Sequence, residues 1–329
     1  MKDDHSRADY ADLTPDQILS SVESLGLVTD GRILALNSYE NRVYQIGIED
    51  TEPLIAKFYR PGRWSDEQIQ EEHDFCFELN ENDLPVVPPL VIQGKSLHCF
   101  EGYRLSLFLR RGGREGDMDN PENLSQLGRY LGRMHMVGAA SDFHFRPKID
   151  IRTYGEDSVA FLADKFIPNS LSESYESLVG DILELIRARM NEAGDVPFIR
   201  CHGDCHAGNI LWREGEPNFV DFDDARMAPA IQDLWMLLSG SREEQEGQLA
   251  MVVDAYEQFG SFDDRQLNLI EPLRTLRIMH YAAWLARRWD DPAFPMAFPW
   301  FNTERYWGQH ILELREQMSA LQETPLRLI

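Results

Sequence analysis

The chain has 329 residues, 43% of them hydrophobic, and carries 56 acidic against 32 basic side chains for a formal net charge of −24. That length and apolar content suit two lobes with a sizeable core. The acidic balance, with no cluster of cations, argues against a sequence-independent grip on nucleic acid and against anionic membrane surfaces. Residues 1–13 are polar, expected to be mobile, and lack the apolar core of a signal peptide. No apolar run along the chain approaches the ~18 residues of a membrane span, so a cytoplasmic protein is expected.

The first helix signal is Thr14-Pro15-Asp16-Gln17, with Thr14 as N-cap, Pro15 at the first position and Gln17 completing a capping box. Three strand-like runs follow, Arg32–Leu36, Arg42–Ile48 and Leu54–Tyr59, read as an antiparallel meander. The turn 37–41 contains no glycine, so Ser38 would have to offer its amide and hydroxyl if this turn covers a phosphate. An ordinary Asn- and Ser-rich hairpin turn is the alternative.

Lys57 stands alone in an apolar strand, either as an edge cation or as an inward-facing phosphate ligand. Ser65 caps a predicted helix to Leu79, on which Ile69, Glu72, Phe75, Cys76 and Leu79 share one face. An unpaired Glu72 on that buried stripe would be costly, and pairing with Lys57 satisfies both residues. Glu71 is the second choice of partner. Beyond Pro85, Pro88 and Pro89, further strands are expected at Leu90–Ile92 with Leu97–Phe100, and at Tyr103–Leu109. The Gly- and Arg-rich stretch 110–116 reads as a hinge whose arginines are solvated. It divides a nucleotide-binding lobe, 1–109, from a catalytic and substrate lobe, 117–329.

From there the pattern is helical. Helices are expected around Leu124–Gly138, with His135 as a structural hydrogen-bonding histidine, and around Tyr175–Ile186. Others are expected at Pro229–Leu238, where Asp233 should bind loop amides, and at Leu249–Phe259 and Leu267–Trp289. The aromatic tail, which includes Trp284, Trp300 and Trp307, reads as helical core with a Pro-broken loop, and a cation-binding cage is the alternative.

The stretch 201–224 organises the rest. It reads as loop, strand, turn at Glu214–Pro217, strand and loop, a hairpin holding Asp204, Asn209 and Asp221 at one end of a small sheet. Two oxygen ligands and a spare carboxylate equip a site to hold Mg2+ against phosphates and to take a proton from a hydroxyl. Cys201, His202, Cys205 and His206 are a rival set of soft ligands, but zinc sites usually need two ligand pairs separated by a longer loop. Neither these cysteines nor Cys76 and Cys99 sit in a disulfide framework, which fits a reducing compartment. The position of Cys201 and Cys205 leaves redox sensitivity open.

The run His202-Gly203-Asp204-Cys205-His206-Ala207-Gly208-Asn209 resembles the catalytic loop of the aminoglycoside-phosphotransferase-like branch of the protein-kinase fold. The blocks Asn37–Tyr44, Lys57–Pro61, Gly128–His135, Leu234–Leu238 and Asp291–Pro295 are similar to the bacterial stress response kinase A family, the YihE or RdoA type. The resemblance implies an α+β, bilobal fold with a small antiparallel-sheet N-lobe and a mostly helical C-lobe. It implies a cytoplasmic Ser/Thr protein kinase in stress response. Asp204 would be the proton acceptor, Asn209 and Asp221 the Mg2+ ligands, and Ser38 would lie at the ATP loop.

Lys57, positioned by Glu72, would hold the α- and β-phosphates of ATP. Partners are then ATP and Ser- or Thr-bearing proteins, with a monomer expected. A small-molecule hydroxyl kinase and a silent ATP sensor are the alternatives. The chain departs from ordinary eukaryotic-type kinases at Gly203 (for the Arg of His-Arg-Asp), at Asp223 (for the Gly of Asp-Phe-Gly) and in its glycine-free loop. The first departure removes the Arg that would read activation-loop phosphorylation.

Overall fold

In a computed structural model the chain is described at Tyr10 and over residues 13–328, so the mobility expected of residues 1–13 falls almost wholly outside the described residues. In chain order the elements are α1 (Pro15–Glu23), β1 (Thr29–Ala35), β2 (Arg42–Ile48), β3 (Leu54–Phe58), α2 (Asp66–Glu81), β4 (His98–Phe100), β5 (Tyr103–Leu109) and β6 (Arg114–Glu115). They continue with α3 (Pro121–Gly138), α4 (Asp157–Lys165), α5 (Ser172–Ala193), β7 (Ile199–Cys201), β8 (Ile210–Arg213), β9 (Glu216–Phe219) and β10 (Arg226–Ala228). Last come α6 (Ile231–Trp235), α7 (Arg242–Tyr256), α8 (Ile270–Arg287), α9 (Ala293–Ala297) and α10 (Glu304–Ala320).

These elements form two compact units. The first holds the described residues up to Gly116 together with His144–Arg146 and Gly208–Asp223. The second holds Asp117–Phe143, Pro147–Ala207 and the described residues from Asp224 onward.

The first unit is built on a five-stranded antiparallel sheet in the order β1-β2-β3-β5-β4. The capping box at Thr14 starts α1, whose Ile18 and Val22 bury against Ile46, Leu54, Ala56, Phe58, Leu105 and Leu107. Because strand side chains alternate, that core face of β3 leaves Ile55 and Lys57 on the opposite face. Leu90–Ile92 does not form the strand expected of it. The neighbouring Pro85, Pro88 and Pro89 lack donors, and the segment makes isolated bridges at Pro89–Phe108 and Ile92–Lys95.

His144–Arg146 and the β8–β9 hairpin group with this unit although they follow the expected hinge in sequence. β6, inside that hinge, pairs with β8 at Arg114–Trp212 and Glu115–Leu211. Phe219 donates its backbone N–H to Pro85 O at 2.8 Å.

The second unit is mostly helical. Glycines let α3 and α7 come close: a Cβ at Gly128 would lie 2.3 Å from Val252 O, and one at Gly132 2.6 Å from Tyr256 O. β7 and β10, a pairing that spans the whole loop-and-hairpin segment, form a two-stranded ribbon. The helix expected over Pro229–Leu238 is only five residues long, because its last turn tightens into i→i−3 bonds at Leu237 and Leu238. The tail is core in part: Phe294, Phe301 and Trp307 are buried, with the Phe301 and Trp307 rings edge-on at 5.4 Å, whereas Tyr281 and Trp300 are exposed.

Candidate active site

In the first unit the buried faces of β3 and α2 bring Lys57 and Glu72 together, with Lys57 Nζ 3.2 Å from Glu72 Oε1. Glu72 lies on the stripe with Ile69, Phe75, Cys76 and Leu79, all buried. Its second oxygen accepts from Arg146 Nη2 at 3.0 Å. Glu71, one position on, turns away and accepts the backbone N–H groups of Phe145 and Arg146. Lys57 Nζ is also 3.0 Å from Asp223 Oδ1 and 3.5 Å from Asp221 Oδ1, and Arg63 pairs with the other oxygen of Asp223. Three cations thus meet three carboxylates.

Burial works against the charge on Lys57, but Asp223 and Glu72 outweigh it and hold its pKa well above the ordinary lysine value. Lys57 therefore stays an ammonium at neutral pH.

This group lines a cavity of about 410 Å³, which also takes in Ser38, Asn209 and Asp221 and the apolar side chains Val43, Ile55 and Phe108. The volume suits a small-molecule or nucleotide site. The loop carrying Ser38 is tied down by Glu40, which pairs with Arg60 at 3.1 Å and with Arg63 at 3.5 Å. Residues 37–41 are not among those with positive φ, which is why the loop closes without glycine.

Asn209 O accepts from Val220 N at 3.0 Å, joining the two ends of the hairpin. Asp221 sits at φ +60, a left-handed conformation that is uncommon for a non-glycine residue and recurs at functional sites. An amide oxygen and a carboxylate on one cavity wall are the hard donors that a divalent cation prefers, so the residues present fit such an ion. Arg111, expected to be solvated with its neighbours, is exposed and also lines this cavity.

The second unit holds Asp204, on the loop after β7. Asp233 fixes that loop by accepting the backbone N–H groups of His202 and Gly203, each at 2.8 Å. His135, on α3, bridges Asp233 Oδ2 and the Tyr256 hydroxyl at 3.1 Å each. Gly203 takes φ +83, and a Cβ there would lie 2.2 Å from Asp224 O. This is the physical reason glycine stands at position 203, where the His-Arg-Asp pattern has arginine.

Asp204 pairs with Arg277 of α8 and lies 3.6 Å from His206 Nε2. Burial pushes the Asp204 carboxyl up, but the His206 hydrogen bond and the Arg277 charge hold it below its ordinary value. It is thus an anion able to accept a proton.

Among the described residues the one tight cluster of His, Cys, Asp and Glu is His135, Cys201 and Asp233, all buried. The soft-ligand set Cys201, His202, Cys205 and His206 does not converge. Burial pushes the thiols of Cys201 and Cys205 well above their ordinary pKa.

The sequence missed Arg63, Arg146 and Arg277 as partners of the site carboxylates. Their partners lie far off in the chain, and nothing in local periodicity points to them. Asp223 was visible as a departure from Asp-Phe-Gly, though not as a partner of Lys57.

Comparison with known proteins accords with this geometry. A profile of the phosphotransferase enzyme family matches residues 32–270. Stress response kinase A of Escherichia coli is 44% identical over 320 residues, covering 97% of each chain. The Salmonella typhimurium protein named serine/threonine protein kinase RdoA is 44% identical with the same coverage. Among solved structures, an amicoumacin kinase in complex with AMP-PNP, Ca2+ and Ami aligns at TM-score 0.73 and 19% identity over 94% of each chain.

The chain is therefore an ATP-using kinase of the phosphotransferase enzyme family, with an antiparallel-sheet unit and a helical unit in a kinase-like α+β fold. Within that family it belongs to the stress response kinase A group.

Proposed function

We propose that this chain transfers the γ-phosphate of Mg-ATP to serine or threonine hydroxyls of proteins. The observation that carries the reading is Lys57, buried and held by Glu72 on the wall of a cavity that Ser38, Asn209 and Asp221 also line. The Salmonella typhimurium relative, named as a serine/threonine protein kinase, supports the Ser/Thr acceptor. Likeness to a kinase of a small molecule, at 19% identity, speaks for the fold alone.

In this reading residues 1–109 bind the nucleotide, 110–116 connect, and 117–329 carry the acceptor side. Lys57 holds the α- and β-phosphates, and Ser38 lies over them. Asn209 and Asp221 would hold Mg2+, whose charge would offset that of the phosphates. Asp204 orients the acceptor hydroxyl and takes its proton as the oxygen bonds to the γ-phosphorus, and ADP leaves with the electrons of the broken P–O bond. Positioning and fixed charge supply most of the acceleration.

No described helix is long and apolar enough to cross a membrane. A cytoplasmic monomer, where ATP and reducing conditions are at hand, is the setting we infer. The test is transfer from labelled ATP to a generic Ser/Thr-rich protein beside a panel of aminoglycoside, choline-type and sugar acceptors. Labelled phosphoserine or phosphothreonine supports the reading. Saturable turnover of a panel member, far above protein labelling, would replace it with a small-molecule kinase.

A further inference from the structure

Tyr154 lies on a single π-helical turn, Ile151–Glu156, in the second unit. The chain enters this turn after running beside β10, where Ile149 donates its backbone N–H to Met227 O at 3.0 Å. Asp150 caps the turn by accepting the Thr153 N–H at 2.8 Å. Such i→i+5 turns are rare and occur frequently at functional sites.

Two routes bring Tyr154 to the Asp204 loop. Along α8, Arg277 and His280 are three residues apart and share one side of the helix. Arg277 pairs with Asp204, and the His280 ring stacks on Tyr154 with centroids 4.0 Å apart and planes at 18°. Along β10, Arg226 places its guanidinium 5.2 Å over the Tyr154 ring and pairs with Asp224 at 3.3 Å. In the β7–β10 ribbon Arg226 stands opposite Cys201, three residues before Asp204. The Tyr154 ring is thus fixed by its neighbours before any ligand arrives, so little conformational entropy is lost on binding to it.

Tyr154 is 7% exposed, and its hydroxyl makes no hydrogen bond with any described residue. A tyrosine hydroxyl this deeply placed normally has a partner. Burial raises its pKa above the ordinary tyrosine value, with the Arg226 charge lowering it and the Asp224 charge raising it, so at neutral pH the group is an O–H donor. The charges of Arg277 and Asp204 reach it as well.

We propose that the Tyr154 hydroxyl binds the acceptor beside Asp204, donating to an uncharged oxygen next to the hydroxyl that receives the phosphate. In a protein segment that oxygen is a main-chain carbonyl flanking the serine or threonine. The bond gives Tyr154 its partner and turns the reacting hydroxyl toward the Asp204 carboxylate. This assignment rests on the Ser/Thr kinase reading and adds a substrate-binding residue to its acceptor side.

The test compares full-length wild type with Tyr154→Phe, which keeps the ring, its stack and its cation contact and removes only the hydroxyl. Both receive labelled ATP with Mg2+ and are offered a generic Ser/Thr-rich protein and the aminoglycoside, choline-type and sugar panel. The comparison is made on the acceptor that wild type turns over fastest. Loss of one neutral hydrogen bond should lower kcat/KM for that acceptor about tenfold, with ATP affinity by titration and the thermal unfolding midpoint unchanged. Equal kcat/KM in the two enzymes, a weakened ATP affinity that accounts for the whole loss, or a lowered unfolding midpoint with unchanged activity per folded molecule would overturn the proposal. Turnover of a panel member in place of protein would remove the Ser/Thr reading alone, because the Tyr154→Phe comparison is then decided on that acceptor.

Discussion

Replacing Glu72 by glutamine tests the charge cluster of the first unit most sharply. The variant keeps shape and removes one of three carboxylates facing Lys57, Arg63 and Arg146. Breaking a buried pair by removing one partner typically costs about 3–5 kcal/mol. Here Lys57 keeps Asp223 at 3.0 Å, and Arg146 keeps the carbonyls of Gln68 at 2.8 Å and Asp223 at 3.0 Å. The lower end, about 3 kcal/mol, is therefore expected.

With Glu72 neutral, Lys57 should lean onto Asp223 and Asp221, away from the phosphate position. We expect kcat/KM for ATP to fall about 10²-fold, or about 2.7 kcal/mol of barrier. Steady-state kinetics and thermal unfolding of Glu72→Gln, Lys57→Met and the double variant would measure both effects, and the two losses should be strongly non-additive. Glu71→Gln, whose carboxylate serves only backbone amides in these contacts, is the control with a much smaller kinetic loss. Fully additive losses, or a Glu71→Gln defect equal to that of Glu72→Gln, would refute the pairing as the source of Lys57's position.

Three further outcomes follow from the same geometry. Gly203→Arg, which restores the residue of other kinases, forces a side chain into a left-handed backbone against Asp224 O; a loss of at least about 3 kcal/mol should appear as a lowered melting temperature or as insolubility. A neutral-pH thiol reagent should modify Cys99, which is exposed, and spare Cys76, Cys201 and Cys205, so peroxide should leave activity unchanged; mass mapping after labelling reads this directly. Because the Asp204 pKa is depressed, its anion persists as pH falls until pH passes below the ordinary carboxylate range, and activity is lost only there; in Arg277→Gln, with burial still raising the carboxyl, the acidic limb of the kcat/KM profile should move to higher pH.

Much of the architecture was legible because its signals are local. Thr14 closes the capping box it advertises with Gln17, and Ser65 is the N-cap expected of it, with Gln68 completing a capping box in the structure. The 3.6-residue stripe on α2 placed Glu72 on a buried face, and desolvation alone then demanded a cation. The Asp204, Asn209 and Asp221 spacing suggested a metal and a base, and the fold puts Asn209 and Asp221 on one cavity wall.

What was hidden is long-range. β7 finds β10 across the intervening loop and hairpin, and Arg146 reaches Glu72 from 74 residues away. Leu90–Ile92 looked like a strand by composition, yet Pro88 and Pro89 just before it lack donors, and the segment makes isolated bridges in place of a ladder. Arg277 sits in an ordinary amphipathic helix, and only the fold shows that its turn faces Asp204.

The central claim is that Asp204 takes the acceptor's proton at a site fed by Mg-ATP. Its most direct test compares wild type with Asp204→Ala, measuring ATP affinity by titration and single-turnover transfer of labelled phosphate to a Ser/Thr-bearing acceptor. Unchanged ATP affinity with transfer lowered by about 10²–10⁴-fold is the predicted result. Near-normal transfer by Asp204→Ala would contradict it and send the search for the proton acceptor elsewhere in the chain.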